Sequence, residues 1–292
     1  METLEFNVYR YFLVLTEQMS LFQKAESEKE KIMYDFFETL HSNKKVVRVI
    51  GKKKSILYLT QKYDNNIFLC KYAKEKPMKK FQEGENDIES IVETNFPYIY
   101  MFFDLKRQLI LIQNKSSVFE KVEYAKNSIG SFFQKTTDIH GYNFTIDELT
   151  YEQAFWECIS GVDGVYELTF DLKSPNLFGG ILKTNEFLKK IKEIYNSTET
   201  QIKYKNEKGS LSVRKDEVED TVKYITGGGG RWKIKARKNR SRKTFKSSEN
   251  VKKISMANNL EVDPDITYRN IKEIIEQVDE LLGDINNDKK NN

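Results

Sequence analysis

Two segments constrain the fold more than any other part of the chain. "SILYLTQKYDNNIFLCKY" (residues 55–72) and "FPYIYMFFDLKRQLILIQN" (residues 96–114) are each a pair of apolar runs separated by a polar turn. The first turn is Asp64, Asn65 and Asn66, the second lies near residues 104–107, and β-branched or aromatic runs flanking such turns predict antiparallel hairpins. "FNVYRYFLVL" (6–15) reads as a further buried strand. It is shorter than the ~18 apolar residues of a membrane span and has no small-residue cleavage site, so neither a span nor a signal peptide is expected.

Helices alternate with these strands. Ile32, Met33, Phe36, Phe37 and Leu40 share one face of a helix predicted over 28–40. Ser117 with Glu120, and Thr145 with Glu148, have the spacing of capping boxes and predict two more helix starts. "GVYELTFDLKSPNLFGG" (164–180) is a strand running into a loop, a helix covers 185–195, and "TQIKYKNEKGSLSV" (200–213) reads as a hairpin turning at 206–209. A short helix follows at 215–225. The expected class is α+β, with two domains of mainly antiparallel sheet and packed helices at residues 1–140 and 141–256. Residues 257–292 are expected to form a linker, an amphipathic helix and a disordered tail. The stripe Ile271, Ile274, Ile275, Val278, Leu281 and Leu282 on that helix calls for a partner surface, and a second subunit is the expected one.

Charge is unevenly placed. Residues 231–253 hold eleven basic residues and one acid, Glu249; the whole chain carries +4, so the remainder carries −6. The strip follows four glycines in "GGGGRWKIKARKNRSRKTFKSS" (227–248). A phosphate-cradling loop needs strand, glycines, then helix. Here the order is helix, glycines, strand, so the glycines read as a helix end, a hinge, or a place of close backbone approach. In the strand, alternation puts Arg231, Lys233, Lys235 and Arg237 on one face and Trp232, Ile234 and Ala236 on the other. Lys238, Arg240, Arg242, Lys243 and Lys246 extend the charge, with Phe245 available to stack. Nine cations without an intervening acid predict a nucleic-acid backbone contact. Lys44, Lys45, Arg48, Lys52, Lys53 and Lys54 form a secondary basic patch. An acidic protein or a lipid surface is the other class of partner such charge accepts.

Catalytic chemistry is poorly supplied. There are two histidines, His41 and His140, and two cysteines, Cys70 and Cys158, which read as buried free thiols of a reducing compartment. No cofactor, no metal site and no enzymatic role are expected. The enzymatic alternative is a metal-dependent nuclease using Asp163, Glu167 and Asp171.

The order of elements resembles the RexA-type phage-exclusion proteins and related proteins of phage defence. The resemblance covers roughly residues 55–237. It rests on the two hairpin segments, on "YELTFDLKSPNLFGGIL", on "LSVRKDEVEDTVKYI" and on the basic strand. It implies a two-domain, dimeric, DNA-binding protein of abortive infection, similar in fold to RdgC-type DNA binders and working with a membrane partner. The four glycines, the long basic tail and the final amphipathic helix depart from that pattern.

Overall fold

The computed structural model describes residues 3–16, 26–63, 65–84, 87–173, 183–257, 260, 269 and 271–280. In chain order the first elements are β1 (Thr3–Leu15), α1 (Glu26–Asn43), β2 (Lys45–Ile50), β3 (Lys53–Lys62), β4 (Ile67–Lys74), β5 (Lys76–Glu83) and β6 (Ile88–Asn95). They continue with β7 (Tyr98–Asp104), β8 (Leu109–Gln113), α2 (Val122–Thr137), β9 (Tyr142–Glu148), α3 (Glu152–Ser160), β10 (Gly164–Lys173) and α4 (Lys183–Tyr195). The last are β11 (Glu199–Lys205), α5 (Lys215–Tyr224), β12 (Gly230–Lys238), β13 (Ser241–Lys246), β14 (Lys253–Ala257) and a helix over 271–280, here α6. The class is α+β with mostly antiparallel sheets, as the alternating runs require.

The chain divides into two compact units, residues 24–144 and residues 1–23 with 145–292. This moves β1 out of the expected 1–140 domain. β1 pairs with β14 (Phe6 opposite Ile254) and with β9, partners that lie far along the chain and leave no trace in local periodicity.

In the 24–144 unit, strands run β8-β7-β4-β3-β2 across the sheet. Both predicted hairpins form, as β3–β4 and β7–β8; Asp64 lies outside the described residues. Phe37 of α1 meets Phe68 and Phe103 of the sheet at ring-centroid distances of 4.5 and 4.8 Å, and Phe133 of α2 lies 4.8 Å from Phe103. The capping box at Ser117 does not form. Val118 and Phe119 are buried in a turn closed on the Lys115 carbonyl, and α2 starts later, at Val122. β5 and β6 form a separate two-stranded sheet, and Phe81, Ile88 and Val92 lie on one face of it, each more than 60% exposed.

In the other unit a four-stranded sheet runs β11-β10-β12-β13. Phe155 of α3, Leu188 of α4 and Val222 of α5 close over Phe170, Trp232 and Ile234 on one of its faces. The Thr145/Glu148 capping box is also overruled: those residues belong to β9, and α3 begins at Glu152. The expected hairpin at 206–209 is a turn without a second strand. Asn206 Oδ1 accepts from the backbone N–H of Lys208 (2.9 Å) and Ser210 (3.3 Å), and the chain then leaves β11 toward α5. The loop at 174–180, most of the linker and the tail lie outside the described residues. In α6, Ile271, Ile274 and Val278 are buried within the chain.

Candidate nucleic-acid interface

Three of the four glycines, Gly228, Gly229 and Gly230, are packing positions. α5 ends in a wider π-helical turn over Ile225–Gly229, and Gly228 takes the left-handed conformation (φ 91°). A Cβ on Gly229 would sit 2.3 Å from the Tyr224 ring, and one on Gly230 2.1 Å from the backbone oxygen of Asp171. Only a chain without side chains can turn from helix to strand this close to β10. The run is therefore neither a phosphate loop nor a loose hinge.

β12 alternates as expected. Trp232, Ile234 and Ala236 are buried in the core, and Arg231, Lys233, Lys235 and Arg237 face away from the helices. The continuation is not a tail. Asn239 and Arg240 both have positive φ (52° and 63°), the geometry of a two-residue type I′ turn, and β13 folds back on β12. Register then sorts the remaining cations. Lys246 sits opposite Lys233 and Arg242 opposite Arg237, on the face away from the core. Lys243 and Lys238 fall on the other face, and Arg240 caps the turn. Phe245 is half-buried, packs against the core and lies beneath Lys238.

The cations are not equivalent. Arg231 is held by two buried carboxylates, with Nη2 3.3 Å from Asp147 Oδ1 and Nε 3.0 Å from Glu148 Oε2. Lys173 also pairs with Asp147. Burial pushes the Asp147 carboxyl above its ordinary value against the pull of Lys173 and Arg231, and burial pulls the Arg10 guanidinium of β1 down to about 10. Arg231, itself exposed, thus belongs to a charge cluster whose carboxylates are buried. Lys235 shares Glu167 of β10 with Lys203 of β11, at 3.0 and 3.5 Å. The hydrogen bond from Lys235 holds the Glu167 carboxyl below its usual range. Among the described residues, Lys233, Arg237 and Lys246 have no ion-pair partner, and Arg242 stacks on the Tyr166 ring at 4.3 Å. Lys203 and Lys205 add charge on the same face. Their alternation in "QIKYK" was readable, but not that β11 would lie two strands from β12.

Two like-charged pairs, Lys233 with Lys246 and Arg237 with Arg242, thus stand directly opposite each other. Such pairs are destabilising by roughly 0.2–1 kcal/mol each. Cations repeat at ~7 Å along a strand, a spacing that suits consecutive phosphates.

The secondary patch does not act as one surface. Arg48 turns inward, donates to the Phe132 carbonyl and stacks on the Phe132 ring at 4.8 Å, and burial lowers its guanidinium pKa. Lys52, Lys53 and Lys54 are exposed at the β2–β3 turn. Lys44 and Lys45 lie at the opposite end of that hairpin.

The carboxylates considered for metal chemistry are dispersed. Glu167 is ion-paired, Asp171 accepts from Gln201 Nε2 (2.6 Å), and Asp163 lies at the far end of β10. Among the described residues no group of three or more His, Cys, Asp or Glu is placed to hold a metal, and no helix is long and apolar enough to cross a membrane. Cys70 is buried and Cys158 half-buried, both as free thiols; burial raises the Cys158 thiol to about 11. No protein-family model matches the chain, and no curated protein is similar to it in sequence.

Proposed function

We propose that this protein binds nucleic acid, DNA in the first instance, through phosphates and without sequence specificity. The observation that carries the reading is the pair of opposed like charges on the face of β12–β13 away from the helices. Native sheets avoid such pairs unless another requirement outweighs their cost. A bound polyanion removes the repulsion, and each neutralised phosphate releases counterion. The contact set is Lys233, Arg237, Arg242 and Lys246, with Lys235, Lys203 and Lys205 beside them; Arg231 is excluded by its carboxylates. No cofactor is needed for this role. The setting in phage defence, a homodimer and a membrane partner rest on the resemblance to RexA-type proteins, and a cytoplasmic location rests on the two free cysteines. Ile271, Ile274 and Val278 of the helix expected to supply the dimer contact are buried within the chain, Ile275 is half-buried, and Leu281 and Leu282 of its stripe lie outside the described residues.

The test is a binding series on unrelated DNA duplexes across salt. The expected result is one affinity for all sequences, with log K falling linearly against log salt. Changing both Lys233 and Lys246 to Glu is expected to abolish binding. A flat salt response, or binding by the doubly substituted protein equal to wild type, refutes the reading. An acidic protein partner captured on the same face, with no affinity for DNA, would favour the adaptor alternative.

A further inference from the structure

One cavity adjoins the cationic strand. It measures about 430 Å³, within the ~300–1,000 Å³ of small-molecule sites. Ile159, Val162, Leu211 and Val213 give it aliphatic walls, and each is only partly buried although it packs on the core. Asp163, Lys208, Ser210 and Arg237 supply polar groups around them. Two close approaches fix its shape. A Cβ on Gly164 would lie 2.5 Å from the Gly209 carbonyl oxygen, and one on Gly209 2.8 Å from the Tyr166 ring. Tyr166 carries Arg242 on its ring, and Arg242 is the cross-strand partner of Arg237. The cavity and the phosphate-binding face therefore share Arg237.

We infer that this cavity receives a nucleobase swung out of its stack, from a strand whose phosphates lie on Arg237 and Arg242. The inference rests on the nucleic-acid reading and narrows it to substrates that offer an unpaired base. A base is a flat body with apolar faces and a polar edge. The aliphatic walls suit the faces, while the Ser210 hydroxyl and the Asp163 carboxylate can meet donors on the edge. The attached phosphate is the anion that Arg237 and Lys208 require. A stacked duplex presents no such base without unpairing, which costs a few kcal/mol. Single strands, overhangs and mismatched sites present one freely.

The experiment uses the full chain and a 20-nucleotide strand carrying one 2-aminopurine, alone and as a blunt duplex. Tighter binding of the single strand, by about tenfold, and a rise in 2-aminopurine fluorescence on binding are expected. Leu211→Trp fills the cavity. It is expected to remove both effects and leave salt-dependent duplex binding unchanged; the wild-type fluorescence rise stands as evidence on its own should that variant misfold. Cytidine monophosphate alone distinguishes a strand's base from a free nucleotide, and it is expected to bind at least tenfold more weakly than the strand. Equal affinity for strand and duplex with unchanged fluorescence, while salt-dependent binding persists, overturns this inference and leaves the broader reading intact. A free nucleotide bound as tightly as the strand also overturns it. Absence of salt-dependent binding to either form overturns both.

Discussion

Side chains of one charge have three different roles within one unit of this protein. Arg231 is bonded to Asp147 and Glu148, Lys235 is shared with Glu167, and Lys233 faces Lys246. Their substitutions should separate accordingly. Arg231→Ala leaves two buried carboxylates short of a donor and should cost about 2–3 kcal/mol in a denaturant melt, with little change in DNA affinity once folded. Lys233→Glu replaces a like-charge pair with an opposite one, so it should leave stability unchanged or raise it by up to ~1 kcal/mol while binding is lost. Glu167→Gln frees Lys203 and Lys235 from a competing anion and should tighten DNA binding severalfold at low salt. The same residue gives a pH signature. The Glu167 carboxyl titrates below its usual value of 4.5, mainly through the Lys235 hydrogen bond. Its contribution to stability is therefore present above that value and lost as pH falls through the lowered one. The melting-temperature difference between wild type and Glu167→Gln should shrink on acidification from pH 7 to pH 3. Asp147, raised by burial, has the opposite sign: its contribution is present below 3.8 and lost as pH rises.

Among the elements, the turn from α5 into β12 gives a sharp contrast between neighbouring glycines. A Cβ on Gly227 meets nothing within 4 Å, while one on Gly230 meets the backbone of Asp171. Gly227→Ala should stay within ~0.5 kcal/mol of wild type. Gly230→Ala should cost at least about 3 kcal/mol, because backbone cannot move aside as a side chain can. Long regular elements were legible in the sequence: α1, both early hairpins and the two faces of β12 follow from spacing alone. The β12–β13 hairpin was missed because its turn is Asn239-Arg240, and an arginine does not advertise a left-handed position. β5 and β6 were missed because lysines and glutamates interrupt their apolar alternation. Both capping boxes matched in spacing and failed in structure, one to burial of Val118 and Phe119, the other to strand pairing of β9. The candidate site was half legible. Strand parity gave Lys233 and Arg237, but the opposed pairs depend on a register that only the folded hairpin sets.

For the whole molecule, the +10 strip on a body of −6 remains a feature of composition, but its arrangement is a product of folding. Removing everything after Leu260 tests how much the last helix contributes. Ile271, Ile274 and Val278 would be lost from the interior, and burial of an aliphatic side chain is worth about 1.5–3 kcal/mol. Thermal melting should fall by roughly 10 °C or more, with new binding of a hydrophobic dye. A protein that kept its melting point and changed only its mass in light scattering would restore the helix to a subunit contact. The charge cluster around Arg231 has a consequence in time. Arg10 of β1 packs against Gly228, and β1 is held by β14, whose partners lie more than 240 residues away. The turn that leads into β12 therefore abuts a strand made first and fastened by one made nearly last. During synthesis the eleven cations emerge from the ribosome before their register exists, so a nascent chain should hold RNA only loosely and without the ordered spacing of the finished sheet. Refolding should show the same delay, with DNA binding recovered together with the slowest long-range strand pairing rather than with early helix formation.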